Sequence, residues 1–130
     1  MNNRIISVNK SCKLNQQSIN SNNTPDFIYY LDTGNITQNK IDNLQYLQII
    51  DSEYPSRAKR KVKNNTIIYS TVRPNQEHFG ILKNPDSNLI VSTGFTTIDV
   101  IDKDLYPLYL YYSLTRKEIT GYLQLIAENR

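Results

Sequence analysis

The residues best equipped for chemistry in this sequence are cations and amides rather than nucleophiles. Arg57, Lys59, Arg60, Lys61 and Lys63 crowd into Pro55-Ser56-Arg57-Ala58-Lys59-Arg60-Lys61-Val62-Lys63. Charges this close raise a local positive potential that attracts phosphate, with an affinity that falls steeply as salt rises. The plainer alternative is a solvated loop of charges, since basic runs often hold no ligand. Arg73, Asn75, Gln76 and His78 follow on a stretch that reads as a loop. Arg can bond O6 and N7 of guanine together, and Asn or Gln can bond N6 and N7 of adenine. These residue types are also ordinary on surface loops, so base reading and simple solvation both stay open.

Nucleophilic and metal chemistry find less support. Ser70, His78 and Asp99 supply the residue types of a hydrolase triad, but no nucleophile-elbow motif is present. A small hydrolase around His78 is kept as an alternative. One Cys (Cys12) and one His cannot build an ordinary Cys/His zinc site. The chain has 4 Gly, and neither a P-loop nor a Gly-rich dinucleotide turn. Asn84-Pro85-Asp86-Ser87 is faintly similar to the Asn-Pro-Pro-aromatic motif of adenine methyltransferases. It lacks the second Pro and the aromatic residue, and reads as a turn. The expectation is a chain with no catalysis, metal or cofactor of its own.

The elements that must carry these residues are mostly strands. Phe27-Ile28-Tyr29-Tyr30-Leu31 is aromatic and β-branched, and ends at the turn Asp32-Thr33-Gly34. A further strand is expected near Tyr46–Ile50. Thr66 to Val72 is the clearest strand, preceded by the turn-prone pair Asn64-Asn65 and ended by Arg73-Pro74-Asn75. Phe79 to Leu82, Leu89 to Ser92 and Thr96 to Ile101 read as shorter strands, the last two around Thr93-Gly94-Phe95. Asn9 to Asp26 is polar and aperiodic, and reads as an extended, loosely packed leading segment.

The last quarter switches period. Leu105, Leu108, Tyr109 and Tyr112 fall on one helical face, with Asp104 as cap. Thr115-Arg116-Lys117-Glu118 matches a capping box for a second helix bearing Ile119, Tyr122, Leu123 and Ile126. Gly121 inside it suggests close packing. Strands first and helices last predict an α+β fold: a mostly antiparallel, curved β-sheet with two C-terminal helices packed on it.

Composition sets outer bounds. The chain of 130 residues fits one domain, and 15 Lys and Arg against 12 Asp and Glu give a formal net charge of +3. That excess permits nucleic-acid binding without demanding it. A lone Cys favours a reducing compartment, and no signal peptide or membrane-length apolar run is visible, so a cytoplasmic location with no membrane partner is expected. The 10 Tyr suit a binding surface and suit a β-sheet equally.

Several stretches together resemble the target recognition domains of type I restriction–modification specificity subunits. Tyr30-Leu31-Asp32-Thr33-Gly34-Asn35-Ile36-Thr37 is similar to their opening. Pro55-Ser56-Arg57-Ala58-Lys59-Arg60 leading into Ile67 to Asn75 is similar to their central block, and Val91-Ser92-Thr93-Gly94-Phe95 to the next. Tyr109-Leu110-Tyr111-Tyr112 and Tyr122 to Ala127 match the closing helices in kind and order. The likeness covers Ile28 to Ala127, and its specificity lies in the order of blocks rather than in any single one.

The resemblance implies a single recognition domain over residues 1–130: a polar leading segment (1–25), a strand-rich region (26–101) and a helical region (104–128). The family's spacer helix and second recognition domain are expected to lie outside this sequence. It implies sequence-specific binding of double-stranded DNA, one half of a split target per domain. Bond-making belongs to partner adenine methyltransferase and restriction subunits, with S-adenosylmethionine, ATP and Mg used there. Within this chain, Arg57, Lys59, Arg60 and Lys61 would hold phosphate. Arg73, Asn75, Gln76 and His78 would approach base edges or the adjoining backbone, and Thr93 and Gly94 would form a turn close to DNA. An equally open view makes Arg73 and Thr93-Gly94-Phe95 shapers of the fold. The other functional alternative is a protein-interaction module that docks on a methyltransferase with little DNA binding.

Overall fold

The computed structural model describes residues 8–19, 24–49 and 55–128. Met1–Ile6, residues 20–23 of the leading segment and Ile50 of the strand expected near Tyr46–Ile50 lie outside the described residues. A short helix, α1 (Val8–Ser11), leads into β1 (Cys12–Leu14) and then β2 (Phe27–Leu31). The ribbon β3 (Ile36–Thr37) and β4 (Lys40–Ile41) precedes β5 (Gln45–Gln48) and β6 (Ala58–Lys61). The remaining strands are β7 (Ile67–Tyr69), β8 (Phe79–Ile81), β9 (Leu89–Ser92) and β10 (Thr96–Val100). Helices α2 (Pro107–Leu114) and α3 (Lys117–Glu128) close the chain.

This is an α+β fold with curved, mainly antiparallel sheets and two C-terminal helices packed on them. Where the sequence predicts one sheet, the strands divide into two four-stranded sheets, β1-β10-β7-β8 and β5-β2-β9-β6, plus the β3-β4 ribbon. Only the β2–β9 pairing among the named strands is parallel.

Side-chain alternation explains why the strand sequences read as unbroken apolar runs. In β7, Ile67 and Tyr69 face a core shared with Leu105, Leu110 and Tyr111, while Ile68 faces a second core with Leu31, Val91 and Phe95. In β9, Leu89 and Val91 enter that second core and Ile90 enters a third, with Ile19, Ile28, Tyr30 and Ala58. Successive strand residues point to opposite faces, so a strand buried on both sides must be apolar throughout. The layers thus run helices, first sheet, second sheet, leading segment.

That last layer corrects the expectation of a loose N-terminal stretch. Ile19 is buried, β1 pairs with β10, and the Ile19 N–H donates to the Lys59 carbonyl at 2.8 Å. The Lys61 N–H donates to the Gln17 carbonyl at 3.0 Å. Residues 17–19 therefore cover the outer edge of β6, satisfying amides and carbonyls that an edge strand would leave bare.

The helices also sit differently from their periodicity. α2 begins at Pro107, with Tyr106 rather than Asp104 at the cap. Proline suits the first helical position, where its missing N–H is not needed. Leu105 is buried from the loop before the helix, Leu110 and Tyr111 face the core, and Leu108, Tyr109 and Tyr112 are exposed. The Thr115 capping box does not form: Thr115 Oγ1 donates back to the Tyr111 carbonyl at 2.9 Å. In α3, Leu123 packs on the core and Tyr122 is exposed; around Gly121 there is open space instead of close packing.

Candidate nucleic-acid interface

One open groove, of about 320 Å³, is lined by Arg57, Arg73, Gln76 and His78 together with Thr33, Gly34, Ser70 and Val72. No carboxylate is among these residues, and two guanidinium groups supply the charge of the lining. The residues reach it from three places: the turn after β2, the segment leading into β6, and the loop between β7 and β8.

The β7–β8 loop is held firmly. Arg73 and Glu77 adopt left-handed backbone conformations (φ 51° and 59°) on either side of the 3-10 turn Pro74–Gln76. Such conformations cost a residue with a Cβ about 1–3 kcal/mol each and persist where surrounding structure enforces them. Here Pro74 is fully buried, the Gln76 N–H donates to the Arg73 carbonyl at 2.9 Å, and the Asn75 N–H donates to Gln124 Oε1 of α3 at 3.3 Å. Behind the loop, Phe79 stacks on Tyr69 at 5.5 Å between ring centroids and meets Tyr111 edge-on at 6.0 Å. Burial first, then the neighbouring Tyr112 and Glu77, pushes the Tyr111 phenol up to about 12.

His78 is anchored through its ring. Its Nδ1 lies 2.7 Å from the Ile36 carbonyl oxygen and Nε2 lies 3.2 Å from Gln76 Oε1. A carbonyl only accepts, so Nδ1 carries the proton that points at Ile36.

On the facing side, the Arg57 carbonyl accepts from the Thr93 N–H at 2.8 Å. The Arg57 guanidinium lies directly over Gly94, where any Cβ would collide with Arg57 Nη2 and come within 2.8 Å of Thr33 Cγ2. Thr93 itself is exposed in the turn between β9 and β10, and the Gly94 N–H donates to Ser92 Oγ at 3.0 Å. The turn bearing Thr33 and Gly34 is fixed by reciprocal bonds: the Thr33 N–H donates to Asp32 Oδ1 at 2.8 Å and the Asp32 N–H to Asn35 Oδ1 at 3.1 Å.

The predicted site residues thus divide. Arg57, Arg73, Gln76 and His78 meet in the groove, with Thr93 and Gly94 bordering Arg57. Asn75 is exposed on the same loop, its backbone tied to α3. Lys59, Arg60 and Lys61 continue along β6 and line no part of the groove. Lys59 is exposed; Arg60 is half-buried opposite Ser18, and its Nε is buried with no hydrogen-bond partner. Lys61 borders a small recess with Gln16, Gln17 and Asp99. Thr33, Gly34 and Val72 were not singled out as site residues from sequence, and Ser70 was weighed only as a triad member. The turn signal at Asp32-Thr33-Gly34 marked the local conformation, but nothing local marks which groove a turn faces.

The triad residues each bond elsewhere. Ser70 Oγ donates to the Val72 carbonyl at 3.2 Å, His78 to Ile36, and Asp99 Oδ1 accepts from the buried Thr66 hydroxyl at 2.5 Å. Among the described residues no group of three or more His, Cys, Asp or Glu could hold a metal ion. No described helix is long and apolar enough to cross a membrane.

The fold is target-recognition-domain-like. No family model matches the chain. It is 30% identical over 103 residues to the specificity subunit of the type I restriction enzyme HindI from Haemophilus influenzae, a match covering 79% of this chain and 22% of that subunit. The HsdS subunit from Thermoanaerobacter tengcongensis superposes with a TM-score of 0.61 at 19% identity, over 78% of this chain and 28% of that one. A chain from a structure of type I R-M complex assembly and conformational transition superposes with a TM-score of 0.68 at 21% identity, over 88% and 32%. By sequence and structure, this chain is homologous to type I restriction–modification specificity subunits, and it spans about a fifth to a third of the relatives it matches.

Proposed function

We propose that this chain is a sequence-reading domain that binds one half of a split double-stranded DNA target for partner adenine methyltransferase and restriction subunits. The observation carrying the reading is the convergence of Arg57, Arg73, Gln76 and His78, from separate parts of the chain, on one groove free of carboxylates. Guanidinium and amide groups match the acceptor and donor edges of purines in a major groove, while an exposed Arg also serves phosphate. S-adenosylmethionine, ATP and Mg would be handled by the partners.

The test is duplex binding across a salt series. Loss of a phosphate contact flattens the slope of log affinity against log salt by about one. Arg57→Ala is expected to do so; Arg60→Ala, whose side chain is half-buried outside the groove, is expected to leave the slope alone. The opposite result would move the interface to the β6 edge. Docking on a methyltransferase draws support from a separate feature, the exposed Tyr106, Tyr109 and Tyr112 of the α2 region and Tyr122 of α3. Complex formation with methyltransferase subunits in the absence of DNA, abolished by Tyr109→Ser/Tyr112→Ser, would favour it.

A further inference from the structure

The groove holds one residue whose chemistry differs from the rest. Val72 is 64% exposed and lies three residues beyond the end of a strand whose Ile67, Ile68 and Tyr69 are all buried. It lines the groove beside Arg57, Arg73, Gln76 and His78. An exposed valine alone needs no explanation. This one is held in place: its carbonyl accepts from Ser70 Oγ, the next residue is locked in the left-handed region, and the residue after that is fully buried. A branched apolar side chain loses little rotamer entropy on contact, so a fixed valine among donors and acceptors is suited to meet an apolar group lying between polar ones.

In a duplex major groove the apolar group so placed is the C5-methyl of a pyrimidine. It lies next to the O4 or N4 of its own base and to the purine edges that Arg and Gln read. We infer that Val72 is a specificity-determining residue, packing against the C5-methyl of a thymine or of a 5-methylcytosine in the target. The inference rests on the reading of this groove as the DNA-facing surface, and adds to it one recognised chemical group.

The experiment selects duplexes from a random library with the full chain. It then replaces each thymine of the selected site by uracil, and each cytosine by 5-methylcytosine, one at a time. With the unaltered chain, one thymine-to-uracil change is expected to weaken binding about fourfold, the ratio supplied by burying one methyl-sized group. A gain of similar size at one methylated cytosine would instead identify 5-methylcytosine as the source of the methyl. In Val72→Ala, which removes both methyls, and in Val72→Asn, which keeps the bulk but puts an amide in their place, that position is expected to lose its methyl dependence while other positions keep theirs. An exposed site tolerates both changes, and unfolding midpoints check this. A selected site whose methyl dependence is absent, or is the same in all three proteins, overturns the role of Val72 and leaves the groove reading standing. Failure of the unaltered chain to enrich any duplex at low salt overturns both.

Discussion

The two walls of the groove are held by opposite means. The wall carrying Val72, Arg73, Gln76 and His78 is clamped by buried Pro74, by two left-handed residues and by the Ile36 carbonyl on His78. The wall carrying Arg57 depends on a long exposed side chain resting where Gly94 has no Cβ, with its carbonyl accepting from the Thr93 and Lys59 N–H groups. On the proposed DNA-reading function, the difference would match two tasks. Base edges demand fixed donor positions, so their readers gain from being ordered before contact. A phosphate accepts a charge from many angles, so its partner can swing.

The largest effect that would break this contrast is expected from Phe79→Ala. Phe79 is buried beneath the clamped loop and stacks on Tyr69. Truncating such a ring costs about 3–5 kcal/mol, read as a lowered urea midpoint with an unchanged slope. A loss below about 1 kcal/mol would mean that the loop wall does not rest on this aromatic cluster.

Alkaline pH tests the same support more gently. Burial raises the phenol of Tyr69, and that of Tyr111 from its ordinary 10.0 to about 12, so the fold favours their neutral forms. The stability this supplies is intact below pH 10, the value of an unfolded tyrosine, and is lost as pH rises toward 12. Unfolding midpoints should therefore fall above pH 10, and less so in Tyr111→Phe. A drop of equal size in that variant would place the titrating support elsewhere.

Gly94→Ala has the smallest expected effect on stability and sharpens the contrast most. Its Cβ displaces the far end of a flexible Arg57 side chain and also presses on Thr33 Cγ2, so stability should fall by about 1–2 kcal/mol. Duplex affinity should nonetheless fall about tenfold, the ratio for losing one charge-assisted hydrogen bond, and match Arg57→Ala. Binding that survives in Gly94→Ala but not in Arg57→Ala would show that Arg57 reaches its partner from another direction.

Much of the sheet framework was legible because its strands are apolar runs bounded by turn residues. Phe27–Leu31, Phe79–Ile81, Leu89–Ser92 and Thr96–Val100 all fall where composition placed them. Strand β6 was hidden for the opposite reason: Ala58-Lys59-Arg60-Lys61 carries three charges, and only its pairing with β9 and with residues 17–19 makes it a strand. The same pairing scatters the basic run, since alternation and a bulge between Ala58 and Arg60 turn neighbouring cations to different surroundings. The helix faces were misjudged because the periodicity was counted from Leu105, and Pro107 starts the helix two residues later.

The sequence by itself determined the order of elements, the turns at Asp32-Thr33-Gly34 and Arg73-Pro74-Asn75, and the supply of guanidinium and amide groups without a nucleophilic or metal motif. These are local properties, set by side-chain shape, backbone preference and spacing over a few residues. Tertiary structure alone decided that Arg57 lies over Gly94, that Val72 stands exposed beside Gln76 and His78, and that Arg60 is turned away. Those relations join residues far apart along the chain through the pairing of strands and the packing of two sheets, and no local preference encodes which distant partner a side chain will meet.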